Sequence, residues 1–173
     1  MTPEQAAFLL QSIFLPVYAA EHPVTKAVIA AIPPDKADYR PDSIARNAID
    51  LAWHIVIAED RFMNAVAAGG FTFDNASRPE AIRTPGDIVA WYSERFAANI
   101  ERLRTTAVDA LVVPIDFRGL FTFPAVVFLQ SAISHSIHHR GQLSTYLRPM
   151  GVNVPSIYGE SYDARRARDS LRQ

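Results

Sequence analysis

Two histidines four residues apart, His135 and His139, lie in the run Ile133-Ser-His-Ser-Ile-His-His-Arg-Gly-Gln142. In a helix, side chains at i and i+4 stand one above the other on the same face, so both imidazoles can reach a single ion. A third ligand has to come from elsewhere in the chain. His54 is the best candidate, because Ala48-Ile-Asp-Leu-Ala-Trp-His-Ile-Val-Ile-Ala-Glu-Asp60 is another segment of helical, mostly apolar patterning. Three neutral imidazoles around a divalent ion leave a position open for water or substrate. Spacing does not fix the third ligand, and a site of two histidines and one carboxylate, using Asp50 or Glu59, is a competing arrangement. An ordinary hydrogen-bonded pair of helix histidines is the alternative without an ion.

The neighbours of these histidines suggest supporting roles. Asp50 lies four residues before His54 on the same helical face, where its carboxylate can orient the imidazole; the competing reading leaves it facing solvent. The stripe through His135 and His139 continues to Gln142 and Tyr146 at steps of three and four. Those two could line a pocket beside the site, with Tyr146 donating a proton or a hydrogen bond, or they could be core packing at helical spacing. His138 is about 100° around the helix from His139 and falls outside the site. Arg140 reads as a structural salt bridge or helix-end contact, Trp53 as core or dimer interface, and His22, before Pro23, as an exposed loop or helix-end residue.

Composition excludes several classes. The 173 residues are 49% hydrophobic, enough for one domain with a real core. Lys plus Arg number 17 against 18 Asp plus Glu, a net charge of −1 that gives no general attraction to nucleic acid or an acidic membrane surface. There is no cysteine, so any thiol in the chemistry arrives as a cosubstrate. The apolar run at residues 6–20 is interrupted by Gln11 and Pro16 and has Glu4 where a signal sequence carries positive charge, which favours a cytoplasmic protein with no membrane span. Ser136 stands where a zincin carries its catalytic Glu, and no G-x-S-x-G elbow, Walker A loop or G-x-G-x-x-G fingerprint occurs.

The elements that must position the histidines follow from caps and periodicity. Thr2 and Pro3 open a first helix that Pro16 kinks or ends, with a second piece at residues 24–31 stopped by Pro33-Pro34. Asp42 or Ser43 caps a second helix whose apolar stripe from Ile44 to Phe62 runs until Gly69-Gly70. A loop with turn signals at Asp74-Asn75 and Arg78-Pro79 leads to Thr84-Pro-Gly-Asp87, a capping box that opens a third helix to about residue 106. Residues 111–121 read as an extended crossover loop, since Pro114 and the lack of a partner argue against a strand. Thr122 is expected to cap the last long helix, with Pro124 in its first turn, ending before Pro149 and Gly151. The tail is irregular, with a short basic helix at residues 163–171. The sum is an all-α four-helix bundle with a long crossover loop.

The run His135-Ser-Ile-His-His-Arg-Gly-Gln-Leu-Ser-Thr-Tyr-Leu-Arg-Pro-Met-Gly151, with Leu51-Ala-Trp-His54 upstream, resembles the DinB-like (DinB/YfiT) superfamily of metal-dependent four-helix-bundle proteins. Tyr39-Arg-Pro-Asp42 and Val154-Pro-Ser-Ile-Tyr-Gly159 extend the resemblance over most of the chain. It implies a divalent metal, commonly nickel or zinc, held by His54, His135 and His139, and often a homodimer. It also implies activities such as thiol-dependent transfer, isomerisation with low-molecular-weight thiols, or hydrolysis. The reading is therefore a divalent-metal protein with an open three-histidine site, a metal-dependent thiol transferase or hydrolase; the alternative is a non-catalytic metal-binding or stress-response protein whose ion is structural.

Overall fold

In the computed structural model, which describes residues 1–73 and 77–172, the first helix changes register part-way along. The Thr2 hydroxyl accepts from the Gln5 N–H while the Gln5 side chain accepts from the Thr2 N–H, a closed capping box that starts α1 (Pro3–Phe8). The helix then widens into π turns over Leu9–Phe14 and tightens again into α2 (Leu15–Ala30). Pro16 cannot donate and its ring crowds the carbonyl four residues back, that of Ser12, which lies in the widened stretch. The wider turns absorb the conflict, so no break occurs and the helix runs on past Pro23.

The second long helix starts later than its apolar pattern suggests. The Asp42 carboxylate accepts from the N–H groups of Ile44 and Ala45, which closes a local turn and leaves Ile44 95% exposed. Helix α3 (Ala48–Ala68) begins instead at Asn47, whose side chain accepts from the Asp50 N–H, and closes at Gly69 with φ 78°. Thr84 and Asp87 form the expected box at the head of α4 (Pro85–Thr105). The turn expected at Asp74-Asn75 lies outside the described residues.

Residues 111–121 correct the crossover-loop expectation. After a 3-10 turn at Val108–Val112, β1 (Pro114–Phe117) pairs antiparallel with β2 (Phe121–Pro124). Arg118 and Gly119, with φ 57° and 70°, make the reversal, and the Asp116 carboxylate accepts from the Gly119 N–H and the Thr122 hydroxyl. Pro114 lies opposite Pro124 at the open end of the ladder, where a missing N–H breaks little, so proline did not forbid the strand. Thr122 is consequently a strand residue. Helix α5 (Val127–Leu147) starts after Val126 with no side-chain cap, and α6 (Tyr162–Ser170) is capped by Ser161. The chain is thus mostly helical with one small two-stranded sheet. No helix of the described residues is long and apolar enough to cross a membrane.

Helix α3 packs along both α5 and α4, and α2 packs on the same two helices. The apolar residues form two clusters. One gathers Leu10, Tyr18, Met63, Leu103 and Phe128; the other gathers Ile29, Leu51, Ile88, Leu143 and Tyr146. Along α2, α3, α4 and α5 the positions between the clusters carry buried polar groups. Glu59 of α3 accepts from the Tyr92 hydroxyl of α4 at 2.6 Å and from the Ser136 hydroxyl of α5 at 2.8 Å. Arg140 of α5, 1% exposed, pairs with Glu21 of α2 at 2.6 Å, donates to Thr25 Oγ1 at 3.0 Å, and also meets the Tyr158 hydroxyl. The structural salt bridge read for Arg140 is therefore a buried one. Burial pushes the Glu59 carboxyl up, opposed by its two hydroxyl donors and by Arg140.

His22 belongs to this layer and is not the exposed loop residue expected. Its ring stacks on Phe96 at 3.9 Å, its edge meets Tyr92, and its Nε2 is buried without a partner. Burial, aided by the Lys26 charge, lowers its pKa from 6.5 to about 4. The folded chain therefore binds fewer protons than the unfolded chain between those values, so stability held above pH 6.5 is lost as the pH falls toward 4. Calorimetry in chelator is expected to show Tm falling over that interval, with a shallower fall for His22→Phe. Identical slopes for the two proteins would refute this role for His22.

Candidate metal centre

His54 projects from the middle of α3 toward α5, where His135 and His139 occupy successive turns. The long contact between these helices brings together residues 81 apart in sequence: His54 Nε2 lies 3.1 Å from His135 Nε2. The ring centroids of the three histidines are 4.5 to 4.8 Å apart, and one nitrogen from each lies within 4.8 Å of the others. Imidazole nitrogens about 2.0–2.1 Å from a zinc-like ion stand about 3.3 Å apart in a tetrahedron. The His54–His135 separation thus matches one edge, and the His139 nitrogen, within 4.8 Å of the others, would have to draw in by up to about 1.5 Å to complete a face. A direct hydrogen bond between those two rings accounts for one contact; it does not account for His139 converging on the same point.

The donor set suits an ion because the rings are neutral. All three are half-buried. Desolvation is the first cause of their shifts, lowering His54 and His135 to about 4; the charge of Arg46 acts in the same direction on both and on His139. Each ring is therefore neutral at neutral pH, with one nitrogen carrying a proton and the other offering its lone pair. His139 Nδ1 lies 3.0 Å from Gln142 Oε1, which fixes the tautomer with Nδ1–H donating and leaves Nε2 for a ligand. Three imidazoles with no carboxylate among them could hold a divalent metal ion and leave a coordination position open.

The sequence profile of the DinB family matches residues 11–169. The chain belongs to the DinB family. Among DinB-family relatives, the uncharacterized protein YjoA of Bacillus subtilis (strain 168) is 30% identical over 139 residues, which is 78% of this chain and 87% of YjoA. The uncharacterized protein YrdA of the same organism is 31% identical over 111 residues, 63% of this chain and 64% of YrdA. The crystal structure of the DinB-like YjoA superimposes with a TM-score of 0.69 at 24% identity, covering 83% of this chain and 96% of that one. A DinB-like protein from Bacillus cereus ATCC 10987 gives 0.71 at 24% identity, covering 84% and 95%. These structures establish that the fold is shared.

Within this DinB-family chain the other residues singled out in sequence are placed unevenly. Asp50 makes no hydrogen bond to His54: its half-exposed carboxylate lies 3.3 Å from Arg78. Gln142 takes the orienting role, and for His139 instead. Tyr146 is buried against Tyr39 and reaches the site only through the Gln142 side chain, 3.4 Å from its hydroxyl. Glu59, the other carboxylate considered, is committed to Tyr92 and Ser136. His138 is exposed and outside the cluster, while Trp53 is buried against Trp91. Sequence reading missed Arg46, which lines a cavity shared with His54. Extending the Asp50–His54 spacing of four back by one more step would have reached it.

Proposed function

We propose that this protein binds one divalent metal ion through His54, His135 and His139 in an open site and uses it as a metal-dependent enzyme of the thiol-transferase or hydrolase type. The convergence of three neutral imidazoles from two helices carries the reading. The framework is read as a four-helix bundle forming one domain, with α2, α3, α4 and α5 as its long members. Nickel or zinc suits an all-imidazole donor set. Family resemblance supports a homodimer, and the interrupted apolar run at residues 6–20 with Glu4 ahead of it supports a cytoplasmic location.

When bound, a divalent ion acts as a Lewis acid that makes a water or a thiol a stronger nucleophile near neutral pH. The chain's own residues prepare the site for that. His54 and His135 stay unprotonated, Gln142 fixes the ring of His139, and the absence of cysteine leaves no internal thiol to occupy the open position. The polar layer of Glu59, Tyr92 and Ser136 holds α5 against α3 beside His135.

Metal-loaded protein should turn over small electrophiles when a low-molecular-weight thiol is added, or hydrolyse activated esters without one, and lose that activity on chelation. Metal uptake with neither activity across a broad panel would leave the structural-ion alternative. Gln142→Leu removes the acceptor for His139 Nδ1–H and is expected to weaken metal affinity about 10- to 100-fold. Because Gln142 is exposed, Tm of the metal-free variant should stay at the wild-type value. Unchanged affinity by equilibrium dialysis would remove Gln142 from the site.

A further inference from the structure

A cavity of about 520 Å3 opens beside His54, bounded by the start of α3 and the tip of the β1–β2 hairpin. Among the described residues its charged lining is one-sided: Arg46, Arg61, Arg78 and Arg118 against the carboxylate of Asp50. Asp50 is already engaged by Arg78. Arg46 makes no ion pair or side-chain hydrogen bond among the described residues. The Arg118 guanidinium lies 4.3 Å over the Phe73 ring, which holds its plane and leaves its N–H edge uncommitted. The wall between these cations is apolar, formed by Trp53, Ile57 and Ala58. The chain as a whole carries a net charge of −1, so the positive charge here is local.

Guanidinium groups converging on one space repel each other, and an oxyanion between them removes the repulsion while accepting paired N–H donors. The volume lies within the range of small-molecule sites. We propose that this cavity binds a small oxyanion, a carboxylate or phosphate carried on an apolar body, with Arg46 and Arg118 holding its charged end beside His54. As a statement of substrate class this rests on the metal-site reading, but the binding itself does not need the ion. Arg46 also places its charge within reach of all three histidines, which is where the charged end of such a ligand would sit.

The test uses chelator-stripped full-length protein titrated calorimetrically with benzoate, phenyl phosphate and uncharged benzamide. The anions are expected to bind and benzamide to bind at least about tenfold more weakly, while Arg46→Gln and Arg118→Gln each weaken anion binding about tenfold. The stronger of the two anions identifies the oxyanion. Both arginines are exposed, so the variants should fold, which Tm measured in parallel checks. Benzamide binding as tightly as the anions, or both variants binding anions like wild type, overturns the proposal. Anion binding by a chain that takes up no metal would instead refute the metal-site reading alone; metal uptake without anion binding would do the reverse.

Discussion

Substituting His135 by alanine is expected to weaken divalent-metal binding about 100-fold or more while lowering Tm of the metal-free chain by only a few degrees. His135 Nε2 lies 3.1 Å from His54 Nε2, and its own Nδ1 is buried without a partner, so its polar contact in the fold is the one it makes through Nε2. Removing it leaves two ligands from different helices, and the apolar neighbours Phe62 and Ile133 remain packed. In wild type, an ion present at about 100 times its dissociation constant adds about 2.7 kcal/mol of stability. That increment should vanish in His135→Ala. Equilibrium dialysis with zinc and nickel, paired with calorimetry, measures both quantities. Wild-type protein that retains no ion would end the metal reading. A His135→Ala chain that cannot fold without metal would place the ion in a structural role.

The largest loss of stability is expected at Arg140, away from the histidine cluster. Arg140→Ala should cost about 3–5 kcal/mol, roughly 10 °C in Tm, because it leaves Glu21 without its partner and opens a space the size of a guanidinium in the layer between the apolar clusters. Tyr158, which bonds to both Arg140 and Glu21, would lose its tie to α5 and keep only the one to Glu21 of α2. Replacing both charges together, Arg140→Met with Glu21→Leu, should recover most of the loss, since a buried pair exchanged for apolar groups of similar volume is often neutral. Urea unfolding of the single and double variants measures the coupling. A single-variant cost below about 1 kcal/mol would show that the bridge is no more than a surface pair.

Much of the local architecture is legible from adjacent residues. The boxes at Thr2 and Thr84, the left-handed glycine at position 69 and the shared face of His135 and His139 are all consequences of backbone geometry within one or two turns. Helix starts were misread where two short-range signals compete. Asp42 looks like a cap and does accept backbone N–H groups, but it closes a turn five residues ahead of the true cap, Asn47. The hairpin was missed because its ladder is four pairs long and held by Asp116, a side chain whose partners are known only once the strands meet.

What the chain alone determined is therefore the helical periodicity, the metal-type spacing on α5 and the candidacy of His54. The tertiary fold decided that His54 closes on that pair across 81 residues, that Gln142 and not Asp50 orients an imidazole, and that Arg46 and Arg118 share one cavity. The physical reason is range. Caps and i, i+4 faces are set by bonds within a turn or two, whereas which side chains converge depends on the rotation and depth at which α3, α5 and the hairpin pack, a property of the whole core.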